Sequence, residues 1–435
     1  MSSVRSLVAL VLVLSACSSS TSTVSPSPIS SATPVASASA DGLPRAIAAD
    51  VRTPRRWYTL PDGLYQDAAM ITADFAADPR PGSPRVRVEG RDTPMIFTAS
   101  GRGFGAAGAV PLGGLAPGEH RADVIVRLAD GSDATVGSTS FLVSHPEYVV
   151  WTLDFEGDDA SDAGMANTAA IADGIGVPMT VMWNPRVWTT SQVSAPRADA
   201  MLAWTKLRQA KGDEIALHLH MWTDFVRAAG IPARTTPNWG GRSDGYDVPM
   251  TAYTENETRT LVEYGMRLMA DRGLPKPTSF RAGALFANHA TLRVVAALGF
   301  TADCSAAPAG PFGSLQLPWT LASDAQPYYP ARDDANKSGD LPLLEAPTIA
   351  GNTYGHSAAS VAGIVNTNLR MIAPAGQPAA ARRALTVVSH PSTIDATERG
   401  AIETLFGAFD PYRYDRDAGP LRFVTLAQLA KAYSR

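Results

Sequence analysis

The chain falls into three stretches that differ in their pattern of apolar and polar residues. The first 43 residues contain one continuous apolar run, LVALVLVL at residues 7–14, followed by a segment made mostly of Ser, Thr, Ala and Pro. Residues 44–146 instead alternate apolar and polar side chains in short runs such as RVRVEG and HRADVIVRLAD, with Gly, Pro and Asp-Gly turns between them. A period of two with frequent turn residues predicts antiparallel strands, so we expect an accessory β-sandwich of immunoglobulin-like type.

From residue 147 to residue 435 the pattern changes to short apolar strands that are each followed by an amphipathic helix. The seven predicted strands read YVVWTLD, VPMTVMW, EIALHLH, TSFRAG, FTADCS, ALTVVSH and LRFVTL. Regular alternation of strand and helix predicts a parallel sheet, and seven units favour a (β/α) barrel over an open sheet. The predicted fold class is therefore α/β with a preceding all-β domain. Functional side chains of such a barrel gather at the C-terminal ends of the strands.

The N-terminal apolar run predicts an export signal. Arg5 precedes the run, and the sequence LSAC, which ends at Cys17, follows it. The run is too short to span a bilayer but suits a cleaved signal peptide, and LSAC resembles the bacterial lipobox with its lipidated cysteine. We therefore predict a signal peptide over residues 1–16, a tether over residues 17–43 and a lipid anchor at Cys17 in the bacterial cell envelope. Cleavage of an ordinary secretory peptide near SACS is the alternative.

The composition excludes several classes of function. A net charge of −4 indicates neither a nucleic-acid-binding surface nor a strongly acidic one. Cys304 is the only cysteine besides Cys17, so lipidation of Cys17 leaves no intrachain disulfide and no cysteine-based metal cluster. Because no histidine is near Cys304 in sequence, a buried apolar cysteine is favoured over a nucleophile. We expect a monomer that binds no nucleic acid.

Polar side chains suited to metal or proton chemistry stand at the ends of five predicted strands. They are Asp154, Glu156, Asp158 and Asp159 after the first strand, His218 and His220 at the third, Arg281 at the fourth, Asp303 at the fifth and His390 at the sixth. The chain has seven histidines in 435 residues, and two of them are separated by a single leucine. Residues i and i+2 of a strand share a face, so two imidazoles and one carboxylate form a three-ligand metal site with an open position. Burial of both histidines in the core is the alternative.

These motifs resemble those of the polysaccharide deacetylase (NodB-homology, carbohydrate esterase) family. The segments TLDFEG, HLHMW, FRAG and VVSHP follow the order and placement of the family's motifs from about Val149 to the C-terminus. Two departures are clear: Trp222 stands where the second metal-binding histidine usually lies, and no Pro-Tyr pair follows Arg281. The resemblance implies an irregular (β/α) barrel, often with seven strands, that removes acetyl groups from a carbohydrate.

The resemblance also implies roles for individual residues. Six of them carry the chemistry: Asp154 as catalytic base, Glu156, His218 and His220 as metal ligands, Arg281 as the residue that orients the base, and His390 as general acid. His220 takes the place of the missing histidine, and the expected ion is Zn²⁺. Asp303 is expected to hold and polarise His390, and Asp303 and Trp222 are candidate substrate-binding residues.

Two choices stay open in the sequence. Either Asp158 or Asp159 could replace Glu156 as the carboxylate ligand, although short acidic residues before a helix favour capping, which we expect of Asp159. The tryptophans on loops after the strands either stack on sugar rings or cover an edge of the core; they are Trp183, Trp188, Trp222 and Trp239.

Three functions compete. The first is a metal-dependent N- or O-deacetylase that acts on a cell-wall or extracellular polysaccharide, and the constellation at five strand ends favours it. The second is a non-catalytic carbohydrate-binding envelope lipoprotein on a degenerate deacetylase scaffold, which the two altered motifs favour. The third is a metal-independent glycosidase that uses Asp154 with another carboxylate.

Overall fold

The computed structural model describes residues 48–79, 84–100 and 103–434. These residues belong to one compact unit, Ala46–Arg435. The predicted signal peptide, the lipidation site Cys17 and the predicted tether lie outside the described residues. Among the helices of the described part, none has the length and apolar character needed to cross a membrane.

Two packed sheets form the region that the period-two pattern marks. Their strands are β1 (Ala49–Arg52), β2 (Trp57–Thr59), β3 (Ala68–Phe75), β4 (Arg85–Val88), β5 (Arg91–Pro94), β6 (Ile96–Ser100), β7 (Gly103–Pro111), β8 (Gly118–Arg127) and β9 (Asp133–Ser144). One sheet has the order β1-β3-β7-β6 and the other β2-β9-β8-β4-β5. Because strands such as β3 alternate buried and exposed residues, side chains from both sheets, including Ile71 and Val124, meet in one core. The immunoglobulin-like type of this region stays a prediction.

The rest of the chain builds a parallel sheet flanked by helices. Its strands are β10 (Glu147–Asp154), β11 (Met179–Trp183), β12 (Glu214–Leu219), β13 (Ser279–Ala282), β14 (Ala302–Asp303), β17 (Leu344–Glu345), β18 (Arg383–Ser389) and β19 (Leu421–Val424). A separate antiparallel hairpin consists of β15 (Pro311–Phe312) and β16 (Leu315–Gln316). Every residue of β10 is buried, as expected for a strand covered on both faces.

The parallel sheet has the order β17-β14-β13-β12-β11-β10-β18, and β19 pairs with the first half of β10. The predicted α/β class with a parallel sheet is confirmed. All seven predicted strands are present, but the count of seven is wrong, because the two-residue strand β17 makes eight. Two hydrogen bonds then join the segment after β17 to β18. Ala350 N donates to Thr386 O at 3.1 Å, and Thr353 N donates to Val388 O at 3.0 Å.

The helices are α1 (Asp162–Ile175), α2 (Ala195–Ala210), α3 (Thr223–Ala228), α4 (Glu255–Asp271), α5 (His289–Ala297), α6 (Ala362–Met371), α7 (Ala396–Gly407) and α8 (Leu426–Ala432). Short 3₁₀ helices cover Pro185–Trp188, Met250–Ala252, Gly283–Leu285 and Asp410–Tyr412. The cap of α1 is Ser161, whose hydroxyl accepts from Gly164 N at 3.0 Å. The prediction that Asp159 caps this helix is therefore wrong, because Asp159 pairs instead with Arg197 at 2.5 Å.

The two-sheet region packs against the N-terminal ends of the parallel strands. Tyr148, near the start of β10, donates its hydroxyl to Asp62, and Arg422, near the start of β19, pairs with Asp67 at 2.6 Å. The carboxylate of Asp417 also accepts hydrogen bonds from the main-chain N–H groups of Arg56 and Trp57 in the two-sheet region. These polar contacts hold the region at the end of the sheet opposite the C-terminal strand ends, where the site residues lie.

Candidate metal centre

Three histidines surround one carboxylate at the C-terminal ends of the parallel strands. Glu156 lies two residues after β10, and its Oε2 is 2.6 Å from His220 Nε2 and 3.3 Å from His218 Nε2. Its other oxygen, Oε1, is 3.2 Å from Nε2 of His390, which directly follows β18. Only 10% of the Glu156 side chain is exposed, and His218 and His220 are more deeply buried. The structure thus brings together residues from three separate strand ends.

The two histidines of HLH are oriented by main-chain carbonyl groups. His218 Nδ1 donates to Arg281 O at 3.0 Å, and His220 Nδ1 donates to Tyr246 O at 3.0 Å. An imidazole that donates from Nδ1 keeps an unprotonated Nε2 as acceptor or metal ligand, and such a carbonyl partner is the usual support of a ligating histidine. The rings lie nearly perpendicular, at 84°, with centroids 5.0 Å apart. The Nε2 atoms of both rings therefore face the Glu156 carboxylate.

His220 is fixed on its faces as well as at its ring nitrogen. The ring of Tyr246 stacks on it at 4.1 Å with an interplanar angle of 6°. A Cβ atom at Gly283 would lie 2.6 Å from His220 Nδ1, so the imidazole needs a residue without a side chain at this position. The glycine of the FRAG motif thus has a packing role that the motif comparison alone did not show.

The donor set fits a divalent metal ion. Ligand atoms of Glu156, His218 and His220 all lie within 4.8 Å of one another, and a second group meets the same limit: Asp154, Glu156 and His390. Two imidazoles and one carboxylate are a ligand set of catalytic zinc that leaves a position open. The first group is the better one, because both its imidazoles are oriented by carbonyl groups whereas His390 Nδ1 has no hydrogen-bond partner among the described residues.

The neighbouring aspartates do not compete for this place. Asp159 is exposed and bound to Arg197, and Asp158 belongs to neither group of candidate ligands among the described residues. Burial raises the pKa of Asp158 above its ordinary value, and the charge of Glu156 raises it further. Glu156 is therefore the carboxylate that meets the histidines.

The electrostatics of the centre keep Glu156 ionised. Burial alone would raise its pKa, but His220, His218 and His390 lower it well below the ordinary value. Burial alone would likewise lower the pKa of His218 and of His390. Nearby Asp154 and Glu156 instead raise the pKa of both imidazoles. The two carboxylates thus favour positive charge at this place, which suits a cation.

Asp154 is held by a fully buried arginine. Arg281 Nη1 donates to Asp154 Oδ1 at 2.7 Å and to Thr152 Oγ1 at 2.7 Å, while its Nε donates to Cys304 O at 3.1 Å. Burial acts against the charged form of Arg281, but Asp154 and its other neighbours raise its pKa above the ordinary value. The guanidinium therefore fixes the carboxylate in place through a charge-assisted hydrogen bond. Cys304 itself is buried, in agreement with the sequence analysis.

Two sequence-predicted residues lie elsewhere than expected. Asp303 does not support His390: its carboxylate accepts from Ser305 and lies against Glu345, because this part of β14 packs on β17. Trp222 is not a sugar platform, since only 2% of it is exposed and its Nε1 donates to Glu156 O at 2.9 Å. Both residues are too deeply buried to contact a substrate in this structure.

A cavity of about 260 Å³ opens on the candidate centre. Its lining includes the polar side chains of Asp154, Glu156, His220 and His390 together with the rings of Trp239, Tyr246 and Phe312. Trp239 stacks on Phe286 at 5.4 Å and meets Phe312 edge-on at 5.7 Å. Of the four candidate tryptophans, Trp239 is the one that lines this cavity; 9% of it is exposed, against 0% of Trp183 and 2% of Trp222.

Sequence reasoning missed two features of the cavity wall. The hairpin of β15 and β16 carries Phe312, and it is fastened to the Trp239 loop by Ser314 N–Trp239 O at 2.9 Å. Ala284 and Leu285 line the cavity with φ of 49° and 68°, left-handed values that are uncommon for non-glycine residues and typical of strained functional sites. Only the long insertion between the fifth and sixth predicted strands hinted at such a wall. A larger cavity of about 460 Å³, near Lys431, carries none of the site's groups.

Glu345→Gln is expected to reduce a pH-dependent loss of stability. Burial raises the pKa of Glu345 well above 4.5, and Asp303 raises it further, so the folded protein keeps a proton that the unfolded chain releases. Stability is then lost as the pH rises from the unfolded towards the folded pKa. A glutamine amide would donate to Asp303, and its oxygen would accept from Ala306 N as Glu345 Oε1 does at 2.9 Å.

Urea unfolding at about pH 5 and about pH 8 measures this effect. From the lower to the higher pH, the free energy of unfolding of the parent should fall by about 1 kcal/mol more than that of Glu345→Gln. The control is Glu403→Gln, which removes an exposed carboxylate paired with Arg399. An equal change in the free energy of unfolding of all three proteins would contradict the retention of a proton by Glu345 in the folded state.

Comparison with known proteins gives matches among solved structures only. No protein-family model and no curated protein sequence matches the chain. A polysaccharide deacetylase from Mycobacterium smegmatis is 16% identical, with 66% of this chain and 89% of that chain covered and a TM-score of 0.42. A family 4 acetyl xylan esterase from Clostridium thermocellum, in complex with a cobalt ion, is 12% identical, with 65% and 89% covered and a TM-score of 0.33.

A family 4 carbohydrate esterase pseudoenzyme from Bacillus anthracis also matches. It is 10% identical, with 63% of this chain and 66% of that chain covered and a TM-score of 0.30. All three TM-scores lie below 0.5, so the function rests on the geometry of the site. These three solved structures are a polysaccharide deacetylase and two proteins of carbohydrate esterase family 4, and the motifs of this chain resemble those of that family.

Proposed function

We propose that the chain is a metal-dependent hydrolase that removes N- or O-linked acetyl groups from a cell-wall or extracellular polysaccharide. The observation that carries this proposal is the convergence of His218 Nε2, His220 Nε2 and the Glu156 carboxylate beside an aspartate held by a buried arginine. Glu156, His218 and His220 would hold the ion, and Zn²⁺ suits this donor set best.

The proposed reaction assigns each polar residue a task. A divalent ion held at the centre would lower the pKa of water towards about 7 and polarise the acyl carbonyl. Asp154, aimed by its contact with Arg281, removes the proton of the attacking water. His390 supplies a proton to the leaving nitrogen or oxygen of the sugar, a task that suits an imidazole whose pKa is raised by Glu156 and Asp154. Acetate and the free amine or hydroxyl are the products.

The cavity supports a carbohydrate substrate. Sugar rings bind against aromatic side chains, and Trp239, Tyr246 and Phe312 line the same cavity as the polar groups of the centre. The predicted export signal and lipobox support an exported enzyme that is lipid-anchored to the bacterial cell envelope. We propose a monomer that contacts the membrane through Cys17 and binds no nucleic acid.

Acetate release tests the proposal. The purified protein is stripped with a chelator, reloaded with Zn²⁺ or Co²⁺ and incubated with acetylated chitin, peptidoglycan and xylan fragments. We expect release only after reloading. Glycan binding without release, unchanged by chelation, would support the non-catalytic carbohydrate-binding alternative instead. Release that is unchanged by chelation would contradict the metal mechanism.

A further inference from the structure

Trp222, at the position of the missing histidine, holds the main chain of the proposed carboxylate ligand. Its Nε1 donates to Glu156 O at 2.9 Å, and Asn184 Nδ2 donates to the same oxygen at 3.1 Å. Both residues are buried. The carbonyl of Glu156 is therefore fixed by two side-chain donors, neither of which touches the carboxylate.

Arg186 extends this arrangement to the next residue. Its guanidinium lies 3.6 Å over the Trp222 ring, and its Nη1 donates to Gly157 O at 2.8 Å. Two parallel bonds of 2.8 Å join it to Asp224. Burial acts to raise the pKa of Asp224, but Arg186 lowers it below the ordinary value, so the pair is ionised. Only 1% of Arg186 is exposed. We call Asn184, Arg186 and Trp222 the carbonyl clamp.

The segment that the clamp holds needs such support. Phe155 N–Met182 O, at 3.0 Å, attaches the residue just before Glu156 to β11. Gly157 then turns the chain with a φ of 87°, and a Cβ atom there would lie 2.9 Å from Asn184 Cγ. Glu156 thus sits in a tight loop rather than in a strand. A ligand in a loop must be placed within about 0.5 Å to meet two fixed imidazoles.

We propose that the carbonyl clamp positions Glu156 for metal binding, and that Trp222 is a positioning residue rather than the remnant of a lost ligand. This inference rests on the proposed metal-dependent function. A histidine at this position would bind the ion directly. The Trp222 indole instead donates a hydrogen bond to the main-chain carbonyl of Glu156, and His220 supplies the second imidazole ligand. Loss of outer support of this kind lowers metal affinity about 10- to 100-fold.

Trp222→Phe tests the inference, because it removes the Nε1 donor and keeps an aromatic ring under Arg186. The matched control is Trp183→Phe: Trp183 is fully buried, touches Phe155, and its Nε1 has no acceptor among the described residues. Affinity is measured by competition with a chelator, and geometry by the visible absorption of the Co²⁺-loaded protein. We expect Trp222→Phe to weaken affinity about 10- to 100-fold and to alter the Co²⁺ spectrum, with Trp183→Phe changing neither.

Two further variants separate positioning from simple folding. Asn184→Ala removes the second donor to Glu156 O and should weaken metal binding in the same direction, so it carries the test if Trp222→Phe does not fold. Trp222→His restores the usual spacing of two histidines but breaks the clamp, and we expect weaker binding. Tighter binding by Trp222→His, or parent-like affinity and spectra in both other variants, would overturn the positioning role alone. A parent chain that binds neither ion would overturn the proposed function together with this inference.

Discussion

Asp154→Asn is expected to lower kcat for acetate release by about 10³-fold, because an amide cannot accept the proton of the attacking water. The substitution keeps the shape of the side chain and its contact with Arg281. Arg281 also retains its bonds to Thr152 Oγ1 and Cys304 O, so the fold should persist. Affinity for Zn²⁺ should change far less than kcat, since Asp154 is not one of the three preferred ligands. Steady-state kinetics and chelator competition on the same preparations measure both quantities.

Asp158→Asn is the matched control for this variant. Asp158 is a half-buried aspartate in the same loop that belongs to neither group of candidate ligands among the described residues. It should keep kcat within a few-fold of the parent. Parent-like kcat in Asp154→Asn would contradict the assignment of the base. Complete loss of metal binding in Asp154→Asn would instead favour the second group, formed by Asp154, Glu156 and His390.

His220→Ala is expected to abolish metal binding at working concentrations. Its Nε2 lies 2.6 Å from Glu156 Oε2 and its ring is fixed by Tyr246, so the substitution removes one of the two imidazoles that are oriented for metal binding. Removing a direct ligand should weaken affinity by more than the roughly 100-fold of an outer-shell change. An ion present at about 100 times its Kd stabilises the parent by about 2.7 kcal/mol, and the variant should lose this gain. Thermal unfolding with and without Zn²⁺ measures it.

The control for this experiment is His356→Ala. His356 contacts Ser360 outside the centre, and its loss should leave the Zn²⁺-dependent stabilisation unchanged. His390→Ala should also keep the stabilisation while losing most of the acetate release. If His390→Ala lost the Zn²⁺ effect and His220→Ala kept it, the ligand assignment made from the geometry would be contradicted.

Much of the fold can be predicted from local patterns in the sequence. All seven strands predicted after residue 147 are present, because apolar runs between helical periods report burial directly. The eighth strand, Leu344–Glu345, has only two residues and no pattern of its own. Its pairing with β14 depends on tertiary contacts, which no local sequence pattern predicts. The hairpin that brings Phe312 to the cavity escaped prediction for the same reason.

The candidate site was predictable where it depended on strand geometry. The spacing of His218 and His220 places both on one face, and their convergence on one point follows from that. The choice among Glu156, Asp158 and Asp159 did not follow, because it depends on the turn at Gly157 and on the partner Arg197. The roles predicted for Asp303 and Trp222 differ from their positions in the structure for the same reason, because tertiary packing determines the partners of a buried side chain.

The proposed metal centre is tested by an anomalous difference map from a crystal of the Zn²⁺-loaded protein, measured at the zinc absorption edge. We expect one peak per chain, bounded by His218 Nε2, His220 Nε2 and the Glu156 carboxylate. A map without a peak among these three side chains, or with its peak at another place, would contradict the proposed metal centre.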